Sequence, residues 1–161
     1  MSAIAFDAIP TAVADALRAW PALADLVGTR VYVNRSQTLP AQRVNGINVR
    51  VEQAESLQPL MGGGALAWRT VLLVECYSRS APGGNPSQAC GPLLQAVWQC
   101  LAGGALQAAL LPVGVQALDI DPVLSWEHFD DGDAPICCAV LRTTVRHLTP
   151  ADSLTPFGIS T

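Results

Sequence analysis

The segment Trp68-Arg-Thr-Val-Leu-Leu-Val-Glu-Cys-Tyr-Ser78 is the most regular strand signal in the chain. Trp68, Thr70, Leu72, Val74 and Cys76 alternate with Arg69, Val71, Leu73, Glu75 and Tyr77, and a period of two sends the two sets to opposite faces of a sheet. Both sets are largely apolar, which predicts a central strand rather than an edge. Downstream, a run from about Ile136 to Leu148 reads as a long strand, in a hairpin with Val123–Phe129 across the turn Asp130-Asp131-Gly132-Asp133. A strand from about Val113 to Asp121 precedes that hairpin, with a bulge or break at Pro122. Upstream, Ile47, Val49 and Val51 alternate with Asn48, Arg50 and Glu52, and Arg30–Asn34 adds a short strand.

Helices frame these strands. Ile9, Val13, Leu17 and Trp20 recur at helical spacing and predict a helix over about 8–20, with Pro10 in its first turn and Pro21 as its stop. Pro21–Val27 adds one or two turns, closed by Gly28 at a left-handed position. Ser87, read as an N-cap, opens a helix to about Ala102 with Leu94, Val97, Trp98 and Leu101 on one face. Pro92 falls early in that helix, so it starts near Gly91 or has an irregular first turn. A short helical piece then reaches Leu110. Residues 35–45 and 56–64 read as loops, the second carrying Gly62-Gly63-Gly64, and residues 149–161 read as a flexible tail. This order predicts one α+β domain over residues 1–148: a mostly antiparallel four- to five-stranded sheet with two main helices packed on one face.

Composition narrows the chemistry. The 161 residues are 50% apolar and 14% charged, which fits a globular domain and excludes a disordered chain. All nine basic residues are Arg, and the absence of Lys excludes P-loop NTPases, Schiff-base enzymes and protein kinases. A domain of this length buries roughly 70% of its unfolded surface and needs no covalent staple. Cys76, Cys90, Cys100, Cys137 and Cys138, without a CxxC pair, are therefore expected to be reduced thiols packed as small apolar groups. Cys137 and Cys138 are adjacent on a predicted strand and should point to opposite faces. No apolar run reaches the 18 residues of a membrane span, so a soluble chain is expected. The net charge of −4 and the lack of a basic run argue against general nucleic-acid binding.

No cofactor, metal or catalytic group is expected. His128 lies before Asp130, Asp131 and Asp133, but these read as an acidic hairpin turn whose side chains bond their own backbone. Counted from Asp131 as an EF-hand loop, the closing glutamate position is Arg142. His147 stands alone, and no Ser sits in a G-x-S-x-G elbow. A small hydrolase or ligand-binding domain stays open as an alternative; its mark would be a pocket gathering His128 or His147 with a Cys and carboxylates.

The charges are unevenly distributed. Arg30, Arg35, Arg43 and Arg50 lie between Leu26 and Val51 with no acid among them. Asp119, Asp121, Glu127, Asp130, Asp131 and Asp133 lie between Val115 and Asp133 with no Arg. Two readings stay open: solvated faces or pairs within one subunit, or patches that meet between neighbouring copies in a head-to-tail ring.

The stretch from Trp126 to His147, an aromatic and polar strand running into an Asp-rich turn and returning as a long alternating strand, resembles the C-terminal hairpin of bacteriophage tail terminator proteins of the lambda minor tail protein U group. The N-terminal helix followed by Leu26-Val27-Gly28-Thr29-Arg30-Val31-Tyr32 is similar to a transition common in phage tail-completion and neck proteins. The resemblance implies a structural subunit and no enzyme. It implies a homo-oligomeric, hexameric ring on the head-proximal end of the tail tube that stops tube polymerisation and offers a docking surface to the head. The implied partners are the tail tube protein and a head–tail connector or neck protein, with DNA passing through the lumen unread and no membrane involved. The implied location is the virion tail, after assembly in the bacterial cytoplasm. Longer loops at 34–45 and 55–66 and the segment after Leu148 depart from the lambda-type pattern, and a head-completion or neck connector protein is the alternative within the same class.

Overall fold

The computed structural model describes residues 3–36, 44–58, 64–131 and 134–157. The chain begins with helices α1 (Ala5–Ala19) and α2 (Pro21–Val27), followed by strands β1 (Val31–Val33), β2 (Asn45–Gln58) and β3 (Ala65–Arg79). Helices α3 (Pro86–Ala102) and α4 (Gly104–Leu110) come next, then a 3-10 turn at Leu111–Val113, and strands β4 (Val115–Asp131) and β5 (Ala134–Pro150) end the fold. The five strands form one sheet in the order β1-β2-β3-β5-β4. The α+β expectation holds, and Trp68–Ser78 lies in a central strand. The sheet is mixed rather than purely antiparallel, because β1 pairs parallel with β2 while the other three pairings are antiparallel. One row of paired residues crosses all five strands: Val31, Ile47, Cys76, Ala139 and Trp126.

The core lies between one face of this sheet and the helices. Ile9, Val13, Ala14 and Leu17 of α1, with Leu93, Val97 and Cys100 of α3, pack in one cluster with Ile47, Val49, Leu72, Val74, Ala139 and Leu141 from the strands. The alternation read from Trp68–Ser78 is realised directly, since Leu72, Val74 and Cys76 face the helices. Cys137 joins that cluster whereas Cys138 lines the opposite face, as the strand period requires. All five cysteines are buried free thiols. Burial raises the pKa of Cys90 and of Cys100 to about 11.

Several boundaries differ from expectation, each for a local reason. The first helix starts at Ala5, whose N–H donates to the carbonyl of Leu154, so contact with the C-terminal segment sets the entry. Pro10 consequently sits inside the helix and not in its first turn. Asn85, not Ser87, caps α3: its side-chain oxygen accepts from the N–H groups of Ser87 and Gln88 at 3.1 and 3.4 Å, and Pro86 takes the position where a missing N–H costs nothing. Pro92 lies inside this helix, where it cannot donate to the Gln88 carbonyl. Gly28 has φ 56° and ψ −122°, a conformation available only to glycine.

Strand β2 continues to Gln58, into the expected loop, with irregularities after Val51 and Ser56. The strands expected on either side of Pro122 are one strand, irregular between Ile120 and Leu124. β5 runs to Pro150, two residues into the expected tail, and Phe157 N–H then returns to the carbonyl of Leu148 at 3.1 Å. Gly62 and Gly63 lie outside the described residues. No single described helix is long and apolar enough to cross a membrane.

Candidate functional site on the open face of the sheet

The sheet face turned away from the helices is concave and charged. Residues of β2, β3, β5 and β4 that alternate with the core set line a concavity of about 530 Å³, among them Arg50, Glu75, Tyr77, Glu127, Cys138 and Arg142. Glu75 is its centre. Although nearly buried, this carboxylate accepts from Arg50 Nε at 2.6 Å, Asn48 Nδ2 at 2.8 Å and the Tyr77 hydroxyl at 3.2 Å. Three donors satisfy the charge, which a buried carboxylate requires. The hydrogen bond to Glu75 in turn raises the Arg50 pKa above its ordinary value. Tyr77 is also held well above the usual phenol range, mainly by burial and then by Cys138 and Glu75. Burial pushes the Cys138 thiol up to about 12, which favours its protonated form.

Around this centre runs a ladder of ion pairs. Arg142 on β5 reaches Glu52 on β2 at 3.4 Å and Asp121 on β4 at 3.2 Å. Arg146 pairs with Asp119 at 3.4 Å, and Arg69 with Glu55 at 3.3 Å. Asn48 extends the network to the sheet edge, since its side chain exchanges two 3.0 Å bonds with the backbone of Arg35.

The structure thus divides the candidate charges. Arg50, Asp119 and Asp121 are paired within the subunit. Arg30 lies beside β1 and donates to the carbonyls of Asn45 and Leu26 at 2.7 and 3.4 Å, while Arg35 stacks over the Tyr32 ring at 4.2 Å. Neither has a carboxylate partner among the described residues. Glu127 is exposed on β4, at the opposite edge, and is likewise without an ion-pair partner among them. Asp130 and Asp131 belong to β4, but their side chains, like all of Arg43 and Asp133, lie outside the described residues. Glu75, Arg142 and Arg146 were not among the sequence candidates; the alternation of the two central strands is the signal that places them on this face.

The helix face holds two histidine contacts. His128 Nε2 lies 2.6 Å from Ser87 Oγ at the start of α3, and that hydroxyl lies 3.9 Å from Cys137 Sγ. His147 is buried, 2.8 Å from Thr70 Oγ1 and edge-on to the Phe6 ring, and burial lowers its pKa to about 4. Among the described residues no three His, Cys, Asp or Glu side chains are placed to hold a metal ion.

No family model and no curated protein matches this sequence. Among solved structures, the chain is similar to one from the "Virion of native gene transfer agent (GTA) particle", with a TM-score of 0.56 and 19% identity over 86% of this chain and 94% of that chain. That likeness shows a shared fold over nearly the whole length of both.

Proposed function

We propose that this chain is a structural subunit of a bacteriophage-like particle, and within it a tail terminator that closes the head-proximal end of the tail tube as a ring. The observation that supports the particle role is the shared fold, over 86% of this chain, with a chain of a gene transfer agent virion; the terminator role within the particle rests on the resemblance of the Trp126–His147 hairpin. A second line of support comes from the subunit itself. Its most elaborate polar feature is a broad charged face in which the central carboxylate is fully occupied by Arg50, Asn48 and Tyr77. Such a face suits contact with other protein surfaces, and the protein then works by complementarity and not by bond chemistry. The place of action is the virion, and the partners are the tail tube protein on one side and a head–tail connector on the other.

The test is the deletion phenotype of the gene in its phage or prophage. Loss of a terminator gives overlong tubes or headless tails in electron micrographs. Tails of normal, uniform length would sink the terminator reading, and free normal tails beside unjoined heads would assign the chain to head completion instead.

A further inference from the structure

The two unpartnered charge groups lie on opposite edges of the sheet, at matching positions along the strands. Val31 of β1 and Trp126 of β4 end the row that crosses all five strands through Ile47, Cys76 and Ala139. In the adjacent row, Gly46 pairs with Tyr77, Tyr77 with Cys138, and Cys138 with Glu127. Arg30, one residue before Val31, stands at the β1 end of that second row. An Arg and a Glu that have no ion-pair partner among the described residues therefore stand at opposite edges in one row, Glu127 at the rim of the open face.

Part of the apolar exposure lies near the same row. On β4, Trp126 on the helix side and Phe129 on the same side as Glu127 are 48% and 43% exposed, while Val44, just before β2, is 57% exposed. Exposed aromatics on both sides of an edge that also carries a charge suit an interface. β4 is also the terminal strand, so its outer backbone groups have no strand partner among the described residues. At the β1 edge the Val31 carbonyl already accepts from Arg18, which favours side-chain contact there over strand addition.

We infer that the β1 edge of one copy docks on the β4 edge of the next copy, with Arg30 of one pairing with Glu127 of its neighbour on the open side and Trp126 contributing apolar contact on the helix side of the same edge. Two different surfaces on opposite sides of a subunit make a heterologous contact, which propagates around a ring. A two-fold pairing of β4 with β4 would instead set the acidic edge against itself. This contact rests on the ring reading above and supplies its subunit interface.

The test is native mass spectrometry and sedimentation of the full chain over a concentration series. Wild type assembles beyond a dimer. Glu127→Arg raises the midpoint concentration about tenfold or more, Arg30→Glu does the same, and the double charge swap restores assembly. Trp126→Ala weakens assembly with an unchanged circular dichroism spectrum. Arg30 also holds two carbonyls of its own subunit, so if Arg30→Glu fails to fold, Glu127→Arg and Trp126→Ala decide the matter. A wild type that stays monomeric or stops at a dimer, or assembly unaffected by Glu127→Arg and Trp126→Ala, overturns the edge contact while leaving the deletion phenotype to judge the terminator reading. Normal tails in the deletion mutant would overturn the latter and leave the contact standing.

Discussion

Leu72 and Leu73 are neighbours on β3, both almost fully buried, and they are buried by opposite means. Leu72 lies in the apolar cluster between the sheet and the helices. Leu73 faces the concave side, where its register partners are Arg50 on β2 and Arg142 on β5. There the aliphatic stems of two charged side chains cover an apolar one while their guanidinium groups stay in the ion-pair network. One strand therefore serves two surfaces: one face holds the fold together, and the other presents charge without exposing the sheet.

Truncation should separate the two faces most sharply. Leu72→Ala removes a packed group that the surrounding helices cannot replace and is expected to cost about 3 kcal/mol in chemical denaturation. Leu73→Ala should cost about 1 kcal/mol, because the flexible Arg stems can settle into the space. Equal losses would mean that the open face is packed as rigidly as the core. Next in size is Glu75→Ala, expected to cost about 2 kcal/mol, since it strands Asn48 and Tyr77 and leaves Arg50 without its carboxylate. Glu75→Gln, which keeps an acceptor, should recover part of that loss.

The sequence was most legible where a strict period of two met a nearly continuous apolar set. Trp68–Ser78 and Ile136–Leu148 are read as strands and fold as strands, because burial of one face leaves no freedom of register. Boundaries were less legible where tertiary contacts set them. The start of α1 depends on Leu154, which is remote in sequence, and the far end of β2 is held by cross-strand pairs such as Glu55 with Arg69. Segment counts of charge picked out Arg30, Arg35 and Glu127, which have no ion-pair partner among the described residues, but they hid the local pairs. The partners of Asp119 and Asp121 are Arg146 and Arg142, in a strand outside both counted segments, and only the β4–β5 register brings them together.

The helix face carries one titratable group that sharpens the contrast by pH. His147 has a folded pKa of about 4, below the 6.5 of an exposed imidazole, because burial disfavours its charge. The unfolded chain binds the proton first, so this group's contribution is complete above about pH 6.5 and is lost as pH falls toward 4. The differential uptake is at most one proton, or about 1.4 kcal/mol per pH unit. His147→Gln should flatten that part of the stability profile, measured by urea denaturation between pH 7 and 4. An unchanged slope would show that the acid sensitivity belongs to other groups, such as the carboxylates of the open face.

The smallest effect expected is at the outer rung of the charged ladder. Arg146 and Asp119 are 57% and 60% exposed and 3.4 Å apart, so water screens their attraction and two long side chains lose freedom to hold it. Arg146→Gln and Asp119→Asn should each change stability by less than about 0.5 kcal/mol, and a double-mutant cycle should give a coupling no larger. Glu75 lies on the same face but is nearly buried and accepts from three donors, so the pair of measurements contrasts a buried, fully bonded carboxylate with an exposed single pair. A coupling at Arg146–Asp119 as large as the loss at Glu75 would mean that the ladder acts as one cooperative network reaching from the sheet centre to the β4 edge. A negligible coupling leaves the outer carboxylates free to exchange partners, which is the condition under which a neighbouring copy could recruit them.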